Sequence, residues 1–298
     1  MKNYLREFLE TFQFPDAAKT QLIAVYDELC EKGGEIQLFD FVNRYKQGLL
    51  TYDESLQKIE MLANEKGINY LSLALVYLIF LADVLKTQYK EVGISEDIWR
   101  DSVSDLKYKA LDCEGLCGIW GTQSVGFHKS FFEMTAFGFG KLQFKITEFN
   151  GEYHRNGLEL DKKTPVVYVH VPRTGEKLDY ASVENSYKRA QVFFKEYFGD
   201  VFKDRPVVFV YRSWMLFDRW KEFLSPQSNF MRFCSDYDVF ASGEYGDYST
   251  AWRVFYRPYE GDISKMPQDT SLQRACAQLI QREEKLGWGW GVYCPIFS

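Results

Sequence analysis

The sequence predicts an all-helical N-terminal domain joined to a mixed α/β domain, and three observations carry that prediction. Up to about Gly115, apolar residues recur every three to four positions, the period of an amphipathic helix, and almost nothing reads as strand. After Trp120, short apolar runs bounded by Pro and Gly alternate with helical segments. The aromatic density shifts at the same place: of the 25 Phe, 20 Tyr and 7 Trp, 16 lie in residues 1–125 and 36 in the rest. A length of 298 residues, at about 150 per domain, fits two domains. They are placed at residues 1–120 and 121–298.

In the first half, Leu22, Val25, Tyr26 and Leu29 share one helical face. Pro15 sits where a helix starts, and Gly33-Gly34 stops that helix. Further helices are expected at 35–45, 53–64, 70–89 and 96–111, the last capped by Ser95. Residues 68–85 form the most apolar stretch, with about 15 residues before Asp83. That is short of the ~20 needed to span a bilayer, so a buried core helix is expected.

In the second half, residues 141–149 (KLQFKITEF) read as a strand, with Asn150-Gly151 as a hairpin turn into 152–154. Residues 166–171 (VVYVHV) form a nearly continuous apolar run, the pattern of a strand buried on both faces. An amphipathic helix follows at 180–198. Val183, Tyr187, Ala190, Phe194 and Tyr197 line its inner face, and Asp179 is its N-cap. Residues 206–216 (PVVFVYRSWML) read as a second buried strand, parallel to the first, so the three segments form a βαβ-like unit. Beyond it the pattern predicts short helices near 218–224 and 229–235, the second capped by Ser228. A strand at 250–256, a helix at 271–286 and a last strand at about 288–296 complete the chain.

The net charge of −6 and pI near 5.3 argue against a nucleic-acid binder. The acidity is local: residues 1–125 hold 13 Lys and Arg against 20 Asp and Glu, and the remainder 23 against 22. The second domain is therefore neutral and compatible with a phosphorylated ligand. Three histidines leave little room for a multi-histidine metal centre, and Cys113-x3-Cys117 lacks a second pair, so no metal is expected. Unpatterned cysteines, with charges interrupting the N-terminal apolar residues, point to the cytoplasm and to no membrane association.

In a βαβ unit the ligand lies beyond the carboxyl ends of the strands. There the segment His170-Val171-Pro172-Arg173-Thr174-Gly175-Glu176-Lys177 leads into a helix start. Val171, Arg173, Thr174, Gly175 and Lys177, with the free helix amides, suit a pyrophosphate, although an ordinary polar connection has the same composition. The segment matches neither G-x-x-x-x-G-K-S/T nor G-x-G-x-x-G. His170 fits a general base or a hydrogen-bonded structural histidine equally well. Ser213 ends the neighbouring strand and makes a Ser–His pair conceivable, but there is no G-x-S-x-G elbow. Glycine and tryptophan alternate over 287–291, the pattern of a strand approached closely by another backbone.

Taken in order, these motifs resemble a family. They are Phe137-Gly138-Phe139-Gly140 before the first strand, His170-Val171-Pro172, and Ser186 with Ala190 and Phe193-Phe194. Ser213-Trp214-Met215-Leu216, Ser228-Asn229 with Phe233, Thr270 to Arg274, and Leu286-Gly287-x-Gly-x-Gly follow. Over roughly residues 118–298 the chain resembles bacterial acyltransferase-domain proteins that join a helical N-terminal domain to a GNAT-like (N-acetyltransferase-fold) C-terminal domain. The resemblance implies a mixed sheet whose two central parallel strands splay apart. The pantetheine of acetyl-CoA or another acyl-CoA would pair with the exposed backbone, and its pyrophosphate would lie at residues 173–177. It implies acyl transfer to an unidentified amine, with His170 as base and Ser213 as a polar partner. The alternative is a GNAT-like module that has lost catalysis and binds a ligand or protein.

Overall fold

The structure is a computed structural model that describes residues 1–202 and 204–295. The chain divides into two compact units, Met1–Gly138 and Phe139–Ser298.

The first unit is helical: α1 Lys2–Thr11, α2 Asp16–Glu31, α3 Glu35–Lys46, α4 Tyr52–Lys66, α5 Tyr70–Glu91, α6 Glu96–Val103, α7 Asp105–Cys117 and α8 Val125–Phe132. The apolar stretch forms the unit's central helix, α5, which touches each of the other seven. Leu73 through Ala82 are at most 4% exposed. By length and composition alone α5 is apolar enough to cross a membrane, and here its apolar surface is covered by its neighbours. Where the pattern predicts one helix over 96–111 there are two. Ser102 and Ser104 donate back to the carbonyls of Ile98 and Arg100 at 2.7 Å, a geometry that bends a helix, and the break falls at Ser104. Ser95 is the N-cap residue of α6 but makes no side-chain cap bond.

The second unit comprises β1 Ala136–Phe139 (entered from the first), β2 Leu142–Glu148, β3 Tyr153–Arg155, β4 Leu158–Leu160, β5 Pro165–His170, α9 Tyr180–Tyr197 and α10 Gly199–Phe202. It continues with β6 Phe209–Ser213, α11 Asn229–Ser235, β7 Asp238–Glu244, α12 Trp252–Phe255, α13 Ser271–Gln281 and β8 Gly287–Tyr293. The main sheet has the order β1-β2-β5-β6-β8-β7. It is mixed: β5 and β6 run parallel, while β2–β5, β6–β8 and β7–β8 are antiparallel. The βαβ unit read from the sequence is β5-α9-β6.

The two faces of this sheet have different covers. Helix α9 lies on one, where Tyr187 packs edge-on against Phe144 and Phe209 at 5.6 and 4.9 Å. Asp179 caps α9, its Oδ1 accepting the Ser182 N–H at 2.9 Å. On the other face, the small β3–β4 sheet sets Tyr153, Leu158 and Leu160 over Val166, Val208, Val210 and Val292. Burying side chains of this size contributes about 1.5–3 kcal/mol each before entropy is subtracted.

Several expected elements come out differently. Asn150-Gly151 is not the hairpin turn: β2 pairs with β5, and β3–β4 is an excursion between them. Its turn is Asn156-Gly157, both with positive φ (53° and 72°), which suits the tight two-residue turn. Residues 250–256 form a 3-10 turn, Ser249–Ala251, followed by α12, not a strand. Ala251, Val254 and Phe255 are buried at helical spacing. The strand β7 was not expected at all. Helix α13 stops at Gln281, and Glu283 (φ 58°) turns the chain away. Of the predicted last strand, residue 296 lies outside the described residues.

Candidate active site

Parallel pairing between β5 and β6 covers Val167↔Phe209 and Tyr168↔Val210 and then ends. Each strand continues on its outer partner, β5 to His170 opposite Gln143 and β6 to Ser213 opposite Gly289. The two central strands therefore part at their carboxyl ends. The Val167 N–H donates to the Val208 carbonyl at 2.9 Å. Because backbone groups alternate along a strand, the pairing of Tyr168 with Val210 engages the Val169 N–H with the Val210 carbonyl, and the Val169 carbonyl and then the Val171 N–H turn toward the gap beyond it, as the Arg212 backbone does from β6. The β6 edge is filled. The Tyr168 hydroxyl donates to the Arg212 carbonyl at 2.8 Å and accepts the Arg212 N–H at 3.3 Å. An extended, amide-containing ligand laid in the gap thus finds its backbone partners on β5.

His170 ends β5 half-buried, its ring centroid 4.9 Å from that of Tyr168. Ser213 ends β6, and its Oγ accepts the Met215 N–H at 3.2 Å, capping the 3-10 turn Trp214–Leu216. Among the described residues Ser213 makes no hydrogen bond to His170. Alternation explains this: Ser213 projects with Phe209 and Tyr211 to the α9 face, and His170 projects with Val166 and Tyr168 to the opposite one. The fold places the two residues on either side of the gap but does not join them as a nucleophile–base pair.

The loop after β5 is held by its own bonds. Thr174 donates its N–H to the Pro172 carbonyl at 3.0 Å and accepts the Glu176 N–H on Oγ1 at 3.2 Å. Gly175 adopts φ 77°, a left-handed conformation that suits glycine. Arg173 lies against the Tyr256 ring at 3.8 Å, while Lys177 is exposed and Glu176 pairs with Lys141. The start of α9 is electrostatically mixed. Arg232, not singled out in the sequence, lies 4.4 Å from the Tyr180 ring centroid and adds a cation. Asp179 adds an anion, held below its ordinary pKa by its bonds to Ser182. Asp236 accepts the Tyr180 hydroxyl at 2.8 Å, and burial pushes its pKa up to about 6. Lys177, Arg232 and the first α9 amides are groups able to hold a phosphate there, beside these carboxylates.

The side of the gap that bears His170 has further polar residues that the sequence did not reveal. The Arg212 guanidinium lies 4.0 Å over the Trp288 ring. The Trp288 ring in turn lies on Gly243, where a Cβ would come within 2.9 Å of it. Burial raises the pKa of Tyr168, opposed by its bond to Arg212 and by the Arg212 and Arg253 charges. The glycine–tryptophan alternation was the available signal, and it has two faces. The tryptophans turn toward Arg212, while Gly287, Gly289 and Gly291 admit Phe217, Leu216 and Tyr237 against the strand.

Comparison with known proteins agrees with this geometry. Residues 136–293 match the profile of the GNAT-like C-terminal domain, and residues 3–134 that of the N-acyltransferase N-terminal domain. No curated protein matches the chain significantly. Among solved structures, an acyltransferase mutant in complex with octanoyl-CoA is 18% identical, with a TM-score of 0.75 over 97% of this chain and 87% of its own. An acyltransferase in complex with decanoyl-CoA is 15% identical, with a TM-score of 0.74 over 97% and 86%. One in complex with decanoyl-CoA and teicoplanin is 18% identical, with a TM-score of 0.71 over 97% and 87%. In fold and in the order of its two domains, the chain belongs to the family that joins an N-acyltransferase N-terminal domain to a GNAT-like C-terminal domain.

Proposed function

We propose that the protein is an acyl-CoA-dependent N-acyltransferase. The observation that carries this reading is the parting of β5 from β6 with the β6 edge filled by Tyr168 and the β5 edge turned to the gap. In the proposed arrangement, the Val169 carbonyl and the Val171 N–H offer backbone partners to the pantetheine amides. The Val171 N–H is also a donor for a thioester oxygen that gains charge. Lys177, Arg232 and the α9 amides take the pyrophosphate. His170 takes a proton from the acceptor amine as its nitrogen bonds to the acyl carbon, the carbon–sulfur bond breaks, and the CoA thiolate leaves. Ser213 serves as a polar residue on the opposite face. The solved acyltransferases complexed with octanoyl- and decanoyl-CoA support an acyl-CoA as co-substrate.

Octanoyl-CoA is the probe. Binding to the native state raises the melting temperature, by the equivalent of about 2.7 kcal/mol at a hundredfold excess over Kd. His170→Ala is expected to keep that shift and lose about 100- to 10,000-fold in turnover, the usual contribution of a general base. Unchanged turnover overturns His170's role. A second reading, a non-catalytic binding module, is favoured by one observation: the Asp179 carboxylate occupies an amide at the helix end where the pyrophosphate is expected. Absence of any shift at millimolar octanoyl-CoA selects it.

A further inference from the structure

The step at which β5 and β6 part turns on one residue of each strand. The pairing of Tyr168 with Val210 is the last rung of the parallel ladder. One step further, a continuing ladder would join the Arg212 N–H to the Val169 carbonyl and the Arg212 carbonyl to the Val171 N–H. Among the described residues the pairing stops short of both. The Tyr168 side chain takes those two Arg212 groups instead, its hydroxyl donating to the carbonyl at 2.8 Å and accepting the N–H at 3.3 Å. One phenol thus stands in for two backbone groups of β5. Tyr168 is well placed to do so, because its own backbone faces β2 opposite Lys145. Its ring packs on the buried cluster around Val166, Val208 and Val210 and lies 4.9 Å from the His170 ring.

We propose that Tyr168 is a positioning residue of the acyl-transfer site: by occupying the Arg212 backbone it keeps the two strands apart and reserves Val169 and Val171 for the thioester ligand. This inference rests on the acyl-transfer reading and adds the residue that keeps its site open and directs the ligand to β5. The role is not that of a proton donor to the leaving thiolate, since the single hydroxyl proton is committed to the Arg212 carbonyl. Unpaired backbone groups on facing strands favour pairing. Without the hydroxyl, the Arg212 N–H and carbonyl have the Val169 carbonyl and the Val171 N–H as their ladder partners, the same groups the ligand needs. The gap then divides its time between open and closed, and only the open form binds. Phenylalanine at 168 isolates this effect, because it keeps a ring against His170 and loses only the hydroxyl.

The test combines residue-resolved amide hydrogen exchange with octanoyl-CoA titration, on the native protein and on Tyr168→Phe. Exchange at Val171 and ligand binding both need the open gap, so one closing equilibrium sets both. In Tyr168→Phe without ligand, the Val171 amide is expected to exchange about two- to fivefold more slowly, the worth of a weak net hydrogen bond. The Kd for octanoyl-CoA is expected to rise by the same factor. An unchanged Val171 exchange rate overturns the proposal, and so does slowed exchange with an unchanged Kd. The native protein supplies a check that needs no variant. Saturating octanoyl-CoA is expected to slow exchange at Val171 and not at Arg212, whose amide Tyr168 already holds. Slowing at Arg212 and not at Val171 puts the ligand on β6 and overturns the proposal. If octanoyl-CoA does not bind the native protein, the acyl-transfer reading fails. Exchange at Val171 in Tyr168→Phe then decides separately whether the hydroxyl holds the strands apart: slowing supports it, and no change overturns it.

Discussion

Where β5 and β6 part, Arg212 keeps both backbone hydrogen bonds because Tyr168 supplies them from its side chain. Tyr168→Phe removes the partner of the carbonyl and N–H of an exposed residue. The expected cost is the net worth of an ordinary hydrogen bond, about 0.5–1.5 kcal/mol, read as a lower urea midpoint at constant slope, and an unchanged midpoint would show that another partner, water included, replaces the hydroxyl. This arrangement was not legible beforehand. In the sequence, Tyr168 is one more position in an apolar run, and its partner lies 44 residues away on a strand whose divergence no local pattern encodes. His170 was legible as a strand-end histidine, and Ser213 as a strand-end serine. That they project to opposite faces of the sheet followed only from the register.

At the level of elements, β8 shows how composition becomes architecture. Its glycines let the 3-10 turn Trp214–Leu216 and Phe217 press directly on the strand; at position 289 a Cβ would overlap the Leu216 carbonyl. Gly289→Ala is therefore expected to destabilise the fold by about 1–3 kcal/mol, the cost of overpacking, and more if the turn cannot shift. A melting temperature equal to that of the native protein would contradict this packing. The close approach was read correctly from Gly-Trp alternation, as were β5, α9 and β6 from their apolar periods and Asp179 from its capping position. Errors came from short elements. Asn150-Gly151 and Asn156-Gly157 carry the same turn signal, and only the pairing of β2 with β5 selects the second. Residues 250–256 are too few for period to separate strand from helix, and β7 (DVFASGE) is only half-buried, without the apolar run that marks a central strand.

In the molecule as a whole, the helical unit contains a buried polar chain of its own. Asp105, His128 and Thr122 are at most 1% exposed. His128 Nδ1 lies 3.4 Å from Asp105, and Nε2 lies 3.2 Å from the Thr122 hydroxyl. Burial pushes the His128 pKa down to about 4, against the attraction of Asp105. The unfolded chain, with a histidine pKa near 6.5, therefore binds the proton first as pH falls. The stability contribution is complete above pH 6.5 and is lost from there down through pH 4, about 3 kcal/mol in all. Urea unfolding between pH 7 and 4 should show this slope, and His128→Gln should flatten it; an identical slope in both proteins would remove His128 as its source. The sequence by itself determined the order of helical and mixed units, the buried character of α5, and the βαβ core, because hydrophobic period is a local property that burial must satisfy. Only the tertiary structure decided which edge of the gap is open and which face each polar residue takes. Those outcomes depend on strand register and on packing between segments far apart in the chain, where no short-range pattern holds the information.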